Sequence, residues 1–374
     1  MERVDVLIIG GGPAGSSLAW GLRGSGLRVR VLDRRTFPRD KTCAGWVTLP
    51  VWSALALDPL AYAEAGHTLQ PIRGFQVGRS GDAGARVASD AVISHGIRRC
   101  EFDAYLLGRS GAERMLGAGV RSLERIADGW RVNGSIEARL LVGAGGHFCP
   151  VARALGGAAL ANEEPVAAQE IELPIAEHEA SSLGVAADIP EIWFTRDFAG
   201  YGWVFRKGGF LNVGLGRRGG ARLSEHMRAF LAQLRAKRRI PEGWGDGVRG
   251  HAYLTYALAR RPLAEERVAL IGDAAGLAYA KSGEGIRPAV ESGLLLARAL
   301  LGARDVADSA ALASYAAALS ARFGARTPAT VPSPAPTPAW QAALAGRLLA
   351  IPAFARRVVV ERWFLNQQQA ALPA

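Results

Sequence analysis

The first thirty-odd residues constrain the fold of this chain more than any other stretch. An apolar run at residues 4–9 leads into the turn GGGPAG at 10–15, and a helical pattern follows from 16 to 24. A second apolar run at 28–32 ends on Asp33. This order predicts a βαβ unit with G-x-G-x-x-G in its first turn and an acidic residue about 20 positions later. Such a unit is typical of dinucleotide binding.

Each glycine of the turn has its own predicted role. Gly10 permits the tight turn, Gly12 lets the backbone approach a pyrophosphate, and Gly15 lets the helix pack closely on the strand. The N-terminus of the helix directs free N–H groups and the positive end of its dipole toward the phosphates. Asp33 is then expected to accept hydrogen bonds from ribose hydroxyls. The alternative interpretation is an ordinary glycine-rich turn.

Composition limits the class of protein. A chain of 374 residues can bury a full core and suggests about two domains. The net charge of +11 comes mostly from arginine, because only four of the 45 basic residues are lysines. The one dense basic cluster, at 235–239, lacks interleaved aromatic residues for base stacking, so no nucleic acid is expected as a partner. A basic rim for an anionic lipid headgroup or a phosphorylated substrate is the favoured alternative.

The cysteines and the apolar runs bear on location. Cys43, Cys100 and Cys149 are odd in number and lack C-x-x-C spacing, which argues against a disulfide framework or a metal site and for a reducing cytoplasm. The chain opens on a strand, so no signal peptide is expected. No run approaches ~18 apolar residues, the length that a transmembrane helix needs. We therefore expect a cytoplasmic protein whose only membrane contact is peripheral.

Two kinds of segment alternate along the chain. Short buried strands that run into glycines recur at 140–146 and 268–276, which indicates a return to the nucleotide-binding sheet. Alternating patterns typical of antiparallel strands occupy 69–97 and 161–259. The second of these concentrates aromatic residues, which suit either the wall of an apolar pocket or only the core of the domain. They are Trp193, Phe194, Phe198, Tyr201, Trp203, Phe205 and Phe210.

The alternation predicts two interleaved domains and a C-terminal extension. Residues 1–68, 98–160 and 260–320 are assigned to the nucleotide-binding domain, and 69–97 and 161–259 to the substrate domain. The remainder, 321–374, begins with a connector that carries five prolines between 327 and 338. Two helical patterns follow, at 340–349 and 354–365. They either pack on the body of the protein or rest at a membrane interface.

Three further motifs follow the glycine turn in a fixed order. They are KTCAG at 41–45, YGWVF at 201–205, and GDAAG at 272–276 with SGEGI at 282–286 and ESG at 291–293. With these motifs the chain, to about residue 320, resembles the two-domain flavoproteins of the aromatic hydroxylase fold, and most closely the geranylgeranyl reductase family. The resemblance implies an α/β fold: a Rossmann-like FAD-binding domain, an interleaved antiparallel β-sheet substrate domain and C-terminal helices.

The chain departs from the family pattern at three places. Ala44 stands where the family's cysteine loop has its first glycine, and Arg206 replaces the proline that ends the family's Y-x-W-x-F-P motif. Many relatives have A-D-G where this chain has AGGH at 144–147. The second departure adds a basic group near the substrate cavity, and the third removes an acid linked to pyridine-nucleotide handling.

The resemblance and the chemistry of flavins both favour FAD. A reduced flavin is anionic around N1 and the C2 oxygen, and a helix N-terminus at 283–287 would place positive potential there. Asp273 suits the ribityl hydroxyls. NAD alone would not need this second site, so we predict FAD, reduced by NAD(P)H or another external electron donor. The candidate cofactor-binding residues are Gly10, Gly12, Pro13, Ala14, Gly15, Asp33, Arg34, Cys43, Ala44, Gly45, Arg99, Gly272, Asp273, Gly283, Gly285 and Ile286.

Three functional hypotheses follow. The first is an FAD-dependent reductase that saturates carbon–carbon double bonds of a small apolar substrate, isoprenoid or similar, with the protein supplying binding and electrostatics. Its candidate catalytic residues are Cys43, Tyr201, Trp203 and Lys281. Cys43 or a held water would donate the proton, ahead of Lys281 and His147. The alternative for Cys43 is a thiol that only packs.

The second hypothesis is a flavin-dependent monooxygenase or halogenase acting on an aromatic or apolar substrate through a flavin hydroperoxide. Lys41 or Lys281 would activate the oxygen species, because one fold can serve both chemistries. The third hypothesis is a flavin-binding protein without catalysis that carries or senses an apolar ligand. Substrate-dependent flavin reoxidation and oxygen consumption separate the three.

Overall fold

The computed structural model describes residues 1–157, 163–220, 222–245, 247–326 and 337–373. The strands in these ranges are β1 (Glu2–Ile9), β2 (Val29–Asp33), β3 (Trp46–Thr48), β4 (Leu69–Ile72), β5 (Gly74–Arg79), β6 (Gly84–Ala88), β7 (Ser94–Ile97), β8 (Glu113–Leu116), β9 (Leu123–Ile126), β10 (Gly129–Val132), β11 (Ile136–Gly143), β12 (Val166–Pro174), β13 (Glu191–Phe194), β14 (Gly200–Lys207), β15 (Phe210–Arg218), β16 (Arg249–Tyr253), β17 (Ala264–Glu265) and β18 (Val268–Leu270).

The helices of the described ranges are α1 (Pro13–Gly21), α2 (Leu49–Ala54), α3 (Pro59–Glu64), α4 (Arg99–Arg109), α5 (Pro150–Gly156), α6 (Glu177–Ser182), α7 (Leu223–Ala236), α8 (Ile286–Leu301), α9 (Ser309–Phe323), α10 (Ala339–Leu349) and α11 (Pro352–Phe354). A π-helix, Ala355–Phe364, continues directly from α11. Short 3₁₀ helices lie at Tyr256–Leu258 and Gly272–Ala274.

The chain forms two compact units. The first unit comprises the described residues of Met1–Asp40, Cys100–Glu164 and Tyr253–Pro332, and the second those of Lys41–Arg99, Pro165–Ala252 and Ser333–Ala374. The sequence analysis assigned 41–68 to the nucleotide-binding domain, but this stretch lies in the second unit. The physical reason is strand pairing, because β3 pairs with β7 in a three-stranded sheet with β4.

The first unit is built on a parallel sheet. Its strand order is β17-β18-β11-β1-β2-β8, and β10 and β9 continue from β11. The strands β18, β11, β1, β2 and β8 are mutually parallel, so their carboxyl ends share one edge. The connection from β1 leads to β2 on one side and the later strand β11 lies on the other, which is the switch point where open α/β sheets bind ligands. The predicted Rossmann-like α/β fold is confirmed.

Helix α1 packs on α8 at backbone contact distance. A Cβ atom on Gly21 would lie 2.7 Å from the Cβ of Ala297, and one on Gly293 would lie 2.5 Å from the carbonyl oxygen of Ala14. Only glycine permits these approaches without moving a helix. The glycine of the ESG motif therefore serves packing, and it brings the N-terminal half of α8 against the helix of the glycine-rich turn.

The second unit is built on a largely antiparallel sheet with the strand order β16-β12-β15-β14-β13-β5-β6. The register of β14 and β15 places Tyr201, Trp203 and Phe205 on one face of the sheet, because they pair with alternate residues of β15. Helix α7 packs on the other face, and Trp193 lies in that cluster with Val204. Trp193 therefore does not belong to the aromatic wall around Trp203, although sequence alone grouped the two.

The C-terminal helices belong to the second unit. The predicted helices at 340–349 and 354–365 correspond to α10 and to α11 with the π-helix. Phe364 of the π-helix packs on the aromatic face, with its ring centroid 5.4 Å from that of Tyr201 and 5.7 Å from that of Trp46. Pro328, Pro332, Pro334 and Pro336 of the predicted connector lie outside the described residues. In the described ranges, no helix has both the length and the hydropathy required to cross a bilayer.

Candidate functional site

The glycine-rich turn joins β1 to α1. Gly10 has a φ of +118°, and a Cβ atom there would overlap the carbonyl oxygen of Ala144. A Cβ atom on Gly15 would overlap the carbonyl oxygen of Gly10. Both positions therefore require glycine for the turn and for the close approach of helix and strand.

Gly12 is different, because its packing does not require glycine. A Cβ atom there would meet only Nη2 of Arg39, at 3.4 Å. Gly12 is the N-cap residue of α1, and Pro13 occupies the first helical position, where a missing N–H costs nothing. The open side of Gly12 leaves room for the pyrophosphate that the sequence predicts, next to the positive end of the helix dipole.

Asp33 ends β2 beside this turn. Its Oδ2 accepts a hydrogen bond from the backbone N–H of Gly11 (2.8 Å), and its Oδ1 accepts one from that of Arg35 (2.9 Å). A carboxylate offers about four acceptor sites, so Asp33 can brace the turn and still accept from ribose hydroxyls. Arg34, the next residue, is exposed.

Sequence analysis missed Arg39, which lies beside Gly12. Its Nη2 atom is 3.2 Å from Oδ2 of the fully buried Asp103. Its Nη1 atom is buried and, among the residues that the structure describes, has no hydrogen-bond partner. A buried guanidinium donor without an acceptor is costly, and a phosphate oxygen would satisfy it. The residues present thus fit the pyrophosphate of FAD.

The second half of the predicted cofactor site lies against the first. Gly272 has a φ of +60°, and a Cβ atom there would lie 2.8 Å from the Cβ of Ala14. Its backbone N–H donates to the hydroxyl of Ser292 on α8 (3.0 Å). Asp273 follows, and its Oδ1 is 3.2 Å from where a Cβ atom of Gly285, the N-cap residue of α8, would lie. The turns at 10–15 and 272–276, remote in sequence, are therefore neighbours at one edge of the sheet.

The remaining predicted residues of this region differ in backbone conformation and in burial. Gly283 has a φ of +67°, and a Cβ atom there would overlap the hydroxyl of Tyr253. Ile286 is buried at the first position of α8. Lys281 is exposed in the turn before Gly283. Arg99 is buried at the first position of α4 and falls within the second unit.

The second unit holds Cys43 in a tightly bonded loop. Gly45 has a φ of +66°, and a Cβ atom there would overlap the carbonyl oxygen of Ile97, so this position requires glycine. The backbone N–H of Cys43 donates to Oε2 of Glu170 (2.6 Å). Nζ of Lys207 donates to the carbonyl oxygen of Ala44 (3.0 Å). Ala44 replaces the family's glycine, but the contact that holds this residue involves its backbone carbonyl group, which either residue provides.

A buried polar cluster, defined here as Glu170, Glu172, Lys207 and Asn212, lies under this loop. Lys207 is completely buried and forms an ion pair with Glu172. The Nδ2 atom of Asn212 donates to Oε2 of Glu172 (3.0 Å), and its Oδ1 accepts from Nε1 of Trp203 (2.7 Å). The cluster therefore joins the cysteine loop to the YGWVF strand.

Burial and charge act in opposite directions on the two carboxyl groups. Burial raises the pKa of Glu170 to about 7, against the opposing effects of Lys207 and the Cys43 N–H. Burial also disfavours ionisation of Glu172, but Lys207, Asn212 and Arg98 outweigh it and lower the pKa of Glu172. Glu170 is thus the member of the cluster that can change its charge near neutral pH.

Sequence reasoning also missed this cluster. One signal was present, because Glu170 and Glu172 alternate with apolar residues in a predicted strand and so share one face. Nothing local, however, indicated that the partner residues are Lys207 and Asn212.

Trp203 lies flat on the sheet beside this cluster. A Cβ atom on Gly214, its partner on β15, would overlap the indole ring. The ring centroid of Tyr201 is 6.1 Å from that of Trp203. Ala44 packs against the same hydrophobic cluster as Tyr201 and Trp203. The structure therefore places the cysteine loop and the predicted aromatic wall on one face of one sheet.

Comparison with known proteins gives matches to a family model and to curated relatives. A family model described as an FAD binding domain matches residues 3–47. The chain is 30% identical over 326 residues to the chloroplastic geranylgeranyl diphosphate reductase of Oryza sativa, covering 80% of this chain and 67% of the relative. It is 29% identical over 345 residues to the menaquinone reductase of Mycobacterium tuberculosis, covering 82% of this chain and 78% of the relative.

A solved structure also matches over the whole chain. The geranylgeranyl bacteriochlorophyll reductase-like protein of Thermoplasma acidophilum has a TM-score of 0.73 and 19% identity, and the match covers 100% of this chain and 94% of that one. At this identity the match establishes a common fold.

The open side of Gly12 yields a prediction. The Gly12→Val variant should fold normally, because a side chain at this position meets no backbone atom, but the valine should fill the space predicted for the pyrophosphate. We expect colourless protein with less than about one tenth of the wild-type flavin absorbance per chain and an unchanged circular dichroism spectrum. Gly108→Val is the control, because Gly108 is exposed on α4 and has open space around its Cβ position. Full flavin occupancy in Gly12→Val would contradict the site assignment.

Proposed function

Because this chain belongs to the geranylgeranyl reductase family of FAD-dependent oxidoreductases, we propose that it reduces carbon–carbon double bonds of an isoprenoid-type apolar substrate. The observation that carries the proposal is the arrangement of the second unit. There the loop of Cys43 is fixed on the same sheet face as Tyr201 and Trp203. An apolar aromatic surface next to a thiol suits an unsaturated hydrocarbon that must receive a proton.

FAD, when bound and reduced, supplies the hydride for such a reduction. The first unit would hold it: Gly12 and Arg39 would bind the pyrophosphate, Asp33 the ribose, and Asp273 with the N-terminus of α8 the second half of the molecule. We further propose that NAD(P)H or another external donor reduces it.

The protein itself would orient the substrate, exclude water from the site and donate a proton. Tyr201 and Trp203 orient the apolar chain and exclude water from it, and the fully buried Phe205 packs in the same hydrophobic cluster as Trp203. Cys43 holds the proton at Sγ, and the backbone N–H of Gly45 donates to that sulfur (3.4 Å), which fixes its direction. Lys281, exposed in the first unit, is the weaker candidate for this role.

Product analysis tests the reaction. Enzyme reduced under anaerobic conditions and incubated with polyprenyl compounds should yield products heavier by two hydrogens, measured by mass spectrometry. The same incubation with NADPH in place of a chemical reductant identifies the donor. A product that gains oxygen or halogen, formed only with dioxygen, would instead establish the monooxygenase or halogenase alternative. Unchanged substrate with no flavin reoxidation would favour a binding protein.

Trp203 provides a test of the aromatic surface. Trp203→Ala should bind FAD normally but lower kcat/KM for a polyprenyl substrate at least tenfold, because the substrate loses the ring that orients it. Trp193→Ala is the matched control, since Trp193 is similarly buried but lies on the opposite face, against α7. Equal turnover in the two variants would mean that Trp203 only fills the core.

The C-terminal helices carry an exposed apolar stripe. Trp340, Leu344 and Ile351 are 68%, 52% and 49% exposed, whereas Leu349 on the other side of α10 is buried. Exposed arginines flank the stripe, at Arg347, Arg356, Arg357 and Arg362. Aromatic and aliphatic residues bordered by cations are typical of a helix that rests on an anionic bilayer. We propose that this surface docks the enzyme on membranes that contain its apolar substrate.

Vesicle binding tests this contact. The double variant Trp340→Ser/Leu344→Ser should bind vesicles of phosphatidylcholine with phosphatidylglycerol about tenfold more weakly than wild type in co-sedimentation. Binding should also weaken with salt, because the arginines act through screened charge. Leu60→Ser is the control, since Leu60 is 69% exposed on α3, away from the stripe in sequence. Equal loss in all variants, or equal binding to uncharged vesicles, would contradict the proposal.

A further inference from the structure

The proposed reduction requires that Cys43 be presented to the substrate in one geometry, yet its loop contains no secondary structure before β3. What fixes the loop is the buried polar cluster. Glu170 on β12 binds the N–H of Cys43 (2.6 Å), and Lys207 on β14 binds the carbonyl oxygen of Ala44 (3.0 Å). Both contacts reach the backbone on either side of the Cys43 side chain.

Burying the ionisable groups of this cluster costs free energy, so their presence suggests a function beyond packing. Lys207 and Glu170 are 0% and 5% exposed, beside the hydrophobic cluster that contains Trp203 and Phe205. Burying ionisable groups is costly unless partners compensate for the lost hydration. A loop held only for packing could use the neutral amides and backbone groups that hold most loops. The presence of a titratable acid at the N–H of Cys43 points to a role in the reaction.

Resting on the proposed function, we propose that Glu170 is a positioning residue for the double-bond reduction: its buried carboxyl group holds the backbone of Cys43 and so sets how the thiol meets the substrate. Two properties follow. Removing the acceptor releases the loop. Changing the charge of the acceptor changes the strength of the hold, because a hydrogen bond to a carboxylate is roughly twice as strong as one to a neutral group.

The surroundings of Glu170 determine how it titrates. On its own strand, Glu172 carries the negative charge that opposes ionisation of Glu170. Across the sheet, Lys207 favours ionisation, and Arg98 interacts with Glu172 (3.3 Å between Nε and Oε1). The adjacent strand β16 carries Arg249, His251 and Tyr253. Since burial raises the pKa of Glu170 to about 7, the hold on Cys43 should strengthen as pH rises through 7.

The test measures the loop without any substrate. In FAD-loaded enzyme, alkylation of Cys43 by iodoacetamide is followed by peptide mass spectrometry between pH 6 and 8.5. Wild type should show a break near pH 7 in the rate of Cys43 alkylation. In Glu170→Gln, an acceptor of the same shape that cannot ionise, the break should disappear. At pH 8, alkylation should be roughly tenfold faster than in wild type, because the neutral amide binds the Cys43 N–H more weakly than the carboxylate does and the loop opens more often to the reagent.

A matched variant separates this role from a general effect of a buried acid. Glu191→Gln removes another buried glutamate of the same sheet, one that accepts from Nε1 of Trp193 (2.7 Å) and pairs with Arg239. Burial raises the pKa of Glu191 as well. Both variants should therefore gain stability over wild type as pH rises above about 4.5, because each removes an acid whose pKa is raised on folding; for Glu170→Gln the gain should level off above about pH 7. Only Glu170→Gln should change the Cys43 profile.

Activity gives the second readout. Glu170→Gln should retain turnover but lose the inflection near pH 7 in kcat, whereas Glu170→Leu, which leaves the Cys43 N–H without an acceptor, should lower kcat at least tenfold with FAD still bound. If the alkylation profile of Glu170→Gln matches that of wild type, the proposal is wrong whatever the substrate is. If the profile changes but no product gains two hydrogens, the loop assignment stands and the proposed reaction fails.

Discussion

Backbone contact around the first turn of α1 is the constraint on which the first unit depends. Gly15 rests on the carbonyl oxygen of Gly10, Gly293 rests on that of Ala14, and Gly272 lies against the side chain of Ala14. Each contact is closer than any Cβ atom would allow. Because these approaches hold α8 and the turn after β18 against α1, two helix N-termini lie near one edge of the sheet. The positive potential predicted at the pyrophosphate and at the flavin would arise from this packing.

The second unit follows a different principle, in which buried charge organises an irregular segment. The loop at 41–45 cannot be held by a sheet ladder, so side chains from β12, β14 and β15 bind it. Their cost is compensated within the cluster, where Lys207, Glu172 and Asn212 satisfy one another. Because Trp203 donates a hydrogen bond to Asn212, the buried polar cluster supports both the aromatic surface and the loop that carries the Cys43 thiol. If Cys43 and the aromatic surface act as proposed, proton donation and substrate binding depend on the same cluster.

The fold alone does not decide among the reactions that flavoproteins of this architecture perform. We propose that the residues that distinguish them lie in the second unit, where this chain has a thiol, a buried acid and an aromatic face. Arg206, which replaces the family's proline, is largely buried, and its Nη2 atom is 3.6 Å from Oε1 of Glu177. Its charge is therefore partly compensated within the unit, unlike that of the exposed arginines that flank the apolar stripe of the C-terminal helices.

The sequence by itself determined the β1-α1-β2 unit, the roles of Gly10 and Gly15, the fold class and FAD as cofactor. These rest on local patterns, since hydrophobic periodicity and turn chemistry act within a few residues. The positions of individual site residues are less local. That Gly12 and Asp33 touch the cofactor remains a prediction, although both lie where the predicted turn requires them.

Only the tertiary structure decided which distant residues meet. Glu170 is 127 positions from Cys43, and no periodicity links the two. Strand register places Trp203 on the face of the sheet that carries the cysteine loop and Trp193 on the opposite face. A shift of the register by one residue would exchange the two faces. Arg39 lies in an irregular loop, and its importance became visible only when Gly12 and Asp103 were seen beside it. Local sequence encodes each element, whereas contacts between elements depend on strand order and packing across the whole chain.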